Sequence, residues 1–208
     1  MLFERNNAYT TDSLLAKADI QELITFERFS RDNSLWDSMR TCFADDAHIN
    51  ISWFSGSGEE FVESSKVMNR YAPHQIYNSQ IWINDERAIA IMQATIQTRL
   101  SINDVQMQLN SDAKIIYCLT KIENTWYIHH MECVYEKDSL TPVFPSSMTL
   151  EQQDFKSYRS SYACLSYCLN YLGYEVNHDL QGIDRPDALN TFYQHLDHWL
   201  TYRSDSLK

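Results

Sequence analysis

Apolar spacing divides the chain into a helical beginning, a strand-rich middle and a helical end. From Thr11 to Arg31, Leu15, Ala18, Leu23, Ile24, Phe26 and Phe29 recur at helical intervals, and Thr11 or Asp12 can cap the start. A shorter helix is predicted over Ser34–Phe43, carrying Leu35, Trp36, Met39 and Phe43. The strand-like stretch Ala47–Phe54 follows it. Ser55-Gly56-Ser57-Gly58 then reads as a turn, and Glu59–Arg70 as a third helix with Phe61, Val62 and Met68 on its apolar side.

Strand patterns take over in the middle. Ile76–Ile83, Ala88–Ile102, Gln106–Lys121 and Trp126–Glu136 alternate or are rich in β-branched and aromatic residues. Asn84-Asp85-Glu86, Asn103-Asp104 and Glu123-Asn124 supply the turns between them. Helices first and antiparallel strands afterwards predict an α+β fold. Met92, Ala94, Ile96, Thr98 and Leu100 form one face of their strand. Ile91, Gln93, Thr95, Gln97 and Arg99 form the other.

Thr141-Pro142-Val143-Phe144-Pro145-Ser146-Ser147 interrupts the pattern. It separates an α+β unit over residues 1–140 from a linker and C-terminal helical extension over 141–208. In that extension Phe155, Tyr158, Tyr162, Leu165, Leu169 and Leu172 predict one long amphipathic helix ending at Gly173. Asp184-Arg185-Pro186 opens a last helix with Leu189, Phe192, Tyr193, Leu196, Trp199 and Leu200 on one face.

Composition narrows the function classes. Seventeen Lys and Arg against 28 Asp and Glu give a formal net charge of −11 over 208 residues. No basic run exceeds two residues, which argues against nucleic acid as a partner. No apolar stretch reaches the ~20 residues that span a bilayer, and the first residues lack the apolar core of a secretory signal. The five cysteines are odd in number and form no Cys-x-x-Cys pair, so they read as buried thiols of a reducing compartment. A cytoplasmic protein with no membrane partner is the expectation.

The order of short motifs carries more. Trp36-Asp37 and Phe43-Ala44-Asp45-Asp46 follow the long first helix. Gly56-x-Gly58-Glu59-Glu60-Phe61, His74-x-x-x-Asn78 and Lys121-x-x-x-x-Trp126 come after. Over Ala16 to Tyr135 this succession resembles the SnoaL-like family of the nuclear-transport-factor-2-like superfamily, and within it the scytalone dehydratase branch. The resemblance implies a cone: a strongly curved antiparallel sheet wrapped around the N-terminal helices, enclosing an apolar pocket. It implies dehydratases, isomerases and cyclases of small hydrophobic or polycyclic molecules that need no cofactor, and also non-catalytic binding modules and dimerising scaffolds.

In the dehydratase branch a histidine matching His74 works with an aspartate matching Asp32. Such a carboxylate fixes the imidazole tautomer and raises the basicity of the free nitrogen. The bland readings are a helix-end Asp32 and a core His74 satisfied by backbone. Thr98 stands where the branch has a second pocket histidine. Arg31 and Ile51 fall near its two tyrosine positions, and Ala113 and Ile115 near its serine and asparagine. Only the Asp–His pair is retained, which argues against scytalone dehydration itself.

The further candidates for substrate contact are Trp53, Phe54, Asn78, Ile96, Thr98, Ile115, Tyr117, His129 and Met131. Plain core packing is the competing reading for most of the apolar ones, and a structural role for Asn78. The resemblance would point Tyr127, His129, Met131 and Tyr135 inward, leaving Trp126, Ile128, His130 and Val134 outside; a slip of one residue would exchange His129 for His130. His195-x-x-His198 has no third ligand, so no metal is expected. A sheet with two partly apolar faces needs a second cover. A homodimer through the sheet is the expectation, with the C-terminal helices as the competing cover.

Overall fold

The computed structural model describes residues 2–5, 8–68, 72–146, 148 and 150–202. The first helix, α1, spans Thr11–Asp32 and starts at Thr10, whose side chain and that of Ser13 cap each other's backbone N–H. Its inward face differs from the predicted stripe. Ile20, Ile24, Glu27 and Arg28 are buried, whereas Leu15, Phe26 and Phe29 are exposed. Two adjacent charged residues thus continue the apolar face of Ile20 and Ile24 by one turn.

The short helix α2 (Trp36–Arg40) ends before its predicted limit because Phe43 already begins a strand, β1 (Phe43–Ile51). There the sheet captures the chain: the Ile128 N–H donates to the Cys42 carbonyl. After β2 (Phe54–Ser57), α3 spans Gly58–Met68, and the Arg70 end of the predicted helix lies outside the described residues. A Cβ at Gly58 would come within 2.9 Å of Phe43 Cβ, so only glycine lets α3 start this close to β1.

Four long strands follow: β3 (His74–Asn84), β4 (Arg87–Ile102), β5 (Val105–Ile122) and β6 (Thr125–Pro142). Their hairpins turn at the expected places. Asn103-Asp104 and Glu123-Asn124 both take positive φ, the backbone that a tight two-residue hairpin requires. The strand order is β2-β1-β6-β5-β4-β3. Pairing is antiparallel except where β1 runs parallel to β6 and the short β7 (Gln181–Gly182) adds parallel to its far end. The curved sheet and its helices form the expected α+β cone.

A bulge in β6 corrects the expected register. Ile128 pairs with Leu119 and His130 with Cys118, so His129 is an extra residue on that strand. Below the bulge Trp126 and Ile128 point into the main core; above it Met131, Cys133 and Tyr135 do. His130 and Val134 stay off that core, but Trp126 and Ile128 do not lie on the outer face.

The predicted long helix over 155–172 is also corrected. A single 3-10 turn, Gln152–Phe155, is followed by irregular chain, and α4 covers only Ala163–Tyr171. Tertiary bonds outcompete helix propensity between them. Arg159 reaches Asp184 and the carbonyls of His178 and Leu180, while the Tyr162 hydroxyl donates to the Asn177 carbonyl at 3.0 Å. Tyr162 packs its ring 4.5 Å from Tyr135, and Asp138 of β6 accepts the Leu165 N–H at the start of α4. Gly173 ends this helix at φ 85° as its type predicts.

The last helix, α5 (Pro186–Thr201), lies across the outer side of the sheet. Leu196, Trp199 and Leu200 bury themselves with Ile89, Ile91, Ile116, Cys118, Val134 and Leu2. The competing cover therefore occupies part of the face through which a homodimer was expected.

Candidate active site

The C-terminus of α1 and the start of β3 meet at the mouth of the cone. The His74 backbone N–H donates to Asp32 Oδ2 at 2.7 Å, and His74 Nδ1 lies 2.8 Å from Asp32 Oδ1. Both side chains are nearly enclosed, with 5% and 14% of their surfaces exposed. Arg31 braces the corner, donating from Nη1 to Asp32 Oδ1 and to the Ala72 carbonyl, at 3.3 and 2.9 Å.

The protonation of this pair follows from its surroundings. Burial pushes the Asp32 carboxyl up, but the His74 hydrogen bond, the charges of His74 and Arg28 and the His74 N–H together hold it down at about 2. Burial drives His74 down to about 4; the Asp32 bond opposes this, and Arg28 and Arg31 add to it. Near neutral pH Asp32 is thus a carboxylate and can only accept, so Nδ1 carries the proton. Nε2 is left with its lone pair and makes no hydrogen bond to the described residues. A positioned base results.

That ring lines a cavity of about 70 Å³ inside the cone. Its apolar wall comprises Ile51, Trp53, Phe61, Ile96, Ile115 and Met131, and Leu165 and Leu169 of α4 close it. Arg28, Arg31, Ser52 and Thr98 supply polar groups. Two larger grooves, of about 430 and 660 Å³, are more open to solvent, and neither contains a histidine.

Of the sequence-derived candidates, His74, Trp53, Ile96, Thr98, Ile115 and Met131 line this cavity. Asp32 stands behind His74. Phe54 packs its ring at a tilt against Trp53 and Phe61 and supports the wall without forming it. Tyr117 is buried in the core behind the cavity, where its hydroxyl donates to Glu27 Oε2 at 3.3 Å. Two candidates are displaced. Asn78 is exposed in the irregular step of β3 between Ile76 and Ser79, away from the lining. His129, thrown out by the β6 bulge, stacks on Trp199 of α5 and lies 3.3 Å from Asp46.

Sequence reasoning missed the most unusual group in the site. Glu27, with no exposed surface, forms a two-pronged ion pair with Arg28, which is 4% exposed and borders the cavity. Burial lowers the Arg28 pKa, but Glu27 and Tyr117 outweigh it and raise it far above the ordinary value, so the guanidinium stays charged. The available signal was spacing: Glu27 and Arg28 stand seven and eight residues after Ile20, on its face of the helix. The exposed Phe26 and Phe29 masked it. Leu165 and Leu169 were recognised only as helix positions, whereas Tyr135 was expected to face inward and does.

No family model matches the chain. Pea pathogenicity protein 2 of Fusarium vanettenii is 27% identical over 210 residues, covering 96% of this chain and 89% of that protein. An uncharacterised protein of Emericella nidulans is 26% identical over 191 residues, covering 86% and 80%. Among solved structures, a proposed scytalone dehydratase from Novosphingobium aromaticivorans superposes with a TM-score of 0.53 at 12% identity, over 66% of this chain and all of that one. A hexachlorocyclohexane dehydrochlorinase from Novosphingobium barchaimii gives 0.52 at 14%, over 67% and 98%. The fold is the nuclear-transport-factor-2-like cone. No helix among the described residues is long and apolar enough to cross a membrane.

Proposed function

We propose that this chain is a SnoaL-like lyase or isomerase of a small hydrophobic molecule, working without a cofactor. His74 is its general base and acid, and Asp32 is the positioning residue that holds it. The observation that carries this reading is the 2.8 Å contact of His74 Nδ1 with Asp32, which leaves Nε2 unpaired on an enclosed apolar cavity. In such surroundings Nε2 takes a proton from carbon beside a carbonyl. It returns that proton to another carbon, or to a departing hydroxyl. The fold's dehydratase and dehydrochlorinase neighbours support the reaction class. The fungal relatives support no substrate. We place the protein in the cytoplasm on its composition.

The test is hydrogen–deuterium exchange at the carbons beside the carbonyl of 4,4-difluorocyclohexanone in heavy water. Exchange above the buffer rate, lost in His74→Gln, supports the reading; exchange unaltered by that substitution overturns it. A second reading, a ligand-binding or dimerising scaffold, is favoured by the small volume. About 70 Å³ has room for a few waters and falls short of a ringed substrate. A ringed substrate therefore needs Leu165 and Leu169 to move aside.

A further inference from the structure

We propose that Arg28 is the group that receives negative charge in the cavity, and that its pairing with Glu27 makes the site select uncharged carbonyl compounds over carboxylates. The inference rests on the reading of the cavity as a ligand site beside an Asp32–His74 base, and extends it to the ligand's charge.

Arg28 spends Nε and Nη2 on Glu27, and Nη2 also approaches Met131 Sδ at 3.8 Å. Nη1 makes no hydrogen bond to the described residues. It is also not among the sealed polar atoms that lack a partner, so it retains access to the cavity that Arg28 borders. A guanidinium N–H at the edge of an apolar cavity is a strong donor, because few waters compete with the acceptor there.

The charges in and around the cavity decide what that acceptor can be. Arg28 and Arg31 contribute two positive charges, Glu27 and Asp32 two negative ones, and neutral His74 none. An uncharged ligand keeps the sum at zero. A carboxylate would leave one uncompensated negative charge in a buried site, which is costly.

Proton transfer preserves the balance. The C–H bond beside the carbonyl breaks and its proton bonds to Nε2 of His74. The released electron pair forms the enolate carbon–carbon double bond, and the carbonyl π electrons move to oxygen, which accepts the Arg28 Nη1 N–H. Imidazolium and enolate then carry one charge each. The proton goes next to a different carbon, or to a β-hydroxyl whose C–O bond breaks as water leaves.

Fluorine NMR titration with three probes of one shape tests the proposal: 4,4-difluorocyclohexanone, 1,1-difluorocyclohexane and 4,4-difluorocyclohexanecarboxylate. The full-length chain should bind the ketone about tenfold more tightly than the hydrocarbon, and the carboxylate most weakly. Glu27→Gln should raise carboxylate affinity about tenfold, since the cavity then carries one net positive charge. Glu27→Gln with Arg28→Met should reduce the ketone to the level of the hydrocarbon while hydrocarbon binding persists. If the double variant does not fold, Glu27→Gln alone decides. A carboxylate that binds the unaltered chain as well as the ketone does, no carboxylate gain in Glu27→Gln, or no binding of any probe overturns the proposal. His74→Gln should leave the ranking in place, so loss of proton exchange with an intact ranking removes the base and keeps this inference.

Discussion

The two faces of one sheet are packed by different rules. On the outer face α5 lays Leu196, Trp199 and Leu200 on Ile89, Ile91, Ile116 and Cys118, and the partly exposed His130–Glu132 and Lys114–Glu136 pairs share that face. There Arg87 reaches the Trp199 and Tyr202 carbonyls and lies 4.9 Å above the Trp199 ring. On the inner face α1 brings Glu27, Arg28, Arg31 and Asp32 into the interior or its rim. Apolar packing would have served stability as well or better, since a buried ion pair seldom repays its desolvation. The contrast teaches where function lies: the fully buried ion pair stands on the side that has a cavity.

The largest effects should come from breaking each face in its own way. Trp199→Ala removes the centre of the outer cluster and should cost ~3–5 kcal/mol in denaturant unfolding. Arg28→Met leaves the buried Glu27 carboxylate without its cation and should cost a similar ~3–5 kcal/mol, of which Glu27→Gln in the same chain should recover most. If the outer face is plain packing, Trp199→Ala leaves carbon–deuterium exchange per folded molecule unchanged. His74→Gln should do the reverse, lowering exchange by ~10²–10⁴-fold with little loss of stability.

Acid sharpens the comparison, because the inner face titrates. The folded-state pKa of His74 is lowered, to about 4, so between its ordinary 6.5 and that value the unfolded chain binds more protons. Stability should therefore fall as pH drops through this window. It should fall again below the ordinary 3.8 of Asp32, toward its folded value of about 2. Urea midpoints across this range would show it, and His74→Gln should flatten the upper part. The smallest effect belongs to Asn78→Ala: at an exposed site it should stay within about 0.5 kcal/mol and leave probe binding unaltered.

Much of the fold was legible. The hairpin turns, the alternation along β4 and the amphipathic α5 follow from local rules of backbone conformation and periodicity. Asp32 and His74 were legible only as members of an ordered set of motifs, since nothing local distinguishes them from an ordinary helix end and core histidine. His129 was misplaced because a bulge adds one residue without any mark in the local pattern. Tyr162 was placed in a helix because its spacing fits one; its hydrogen bond to Asn177 comes from a loop that spacing does not bring near.

The sequence by itself determined the α+β order, the spans of β4 and β5 within a residue and the presence of one carboxylate and one imidazole 42 positions apart. Those depend on neighbours in the chain. The tertiary structure alone decided that Asp32 holds His74, that Glu27 and Arg28 lie inside, and that α4 closes the cavity while α5 covers the outer face. Each of these is a contact between distant segments, and its energy exists only once the sheet has curved and brought them together.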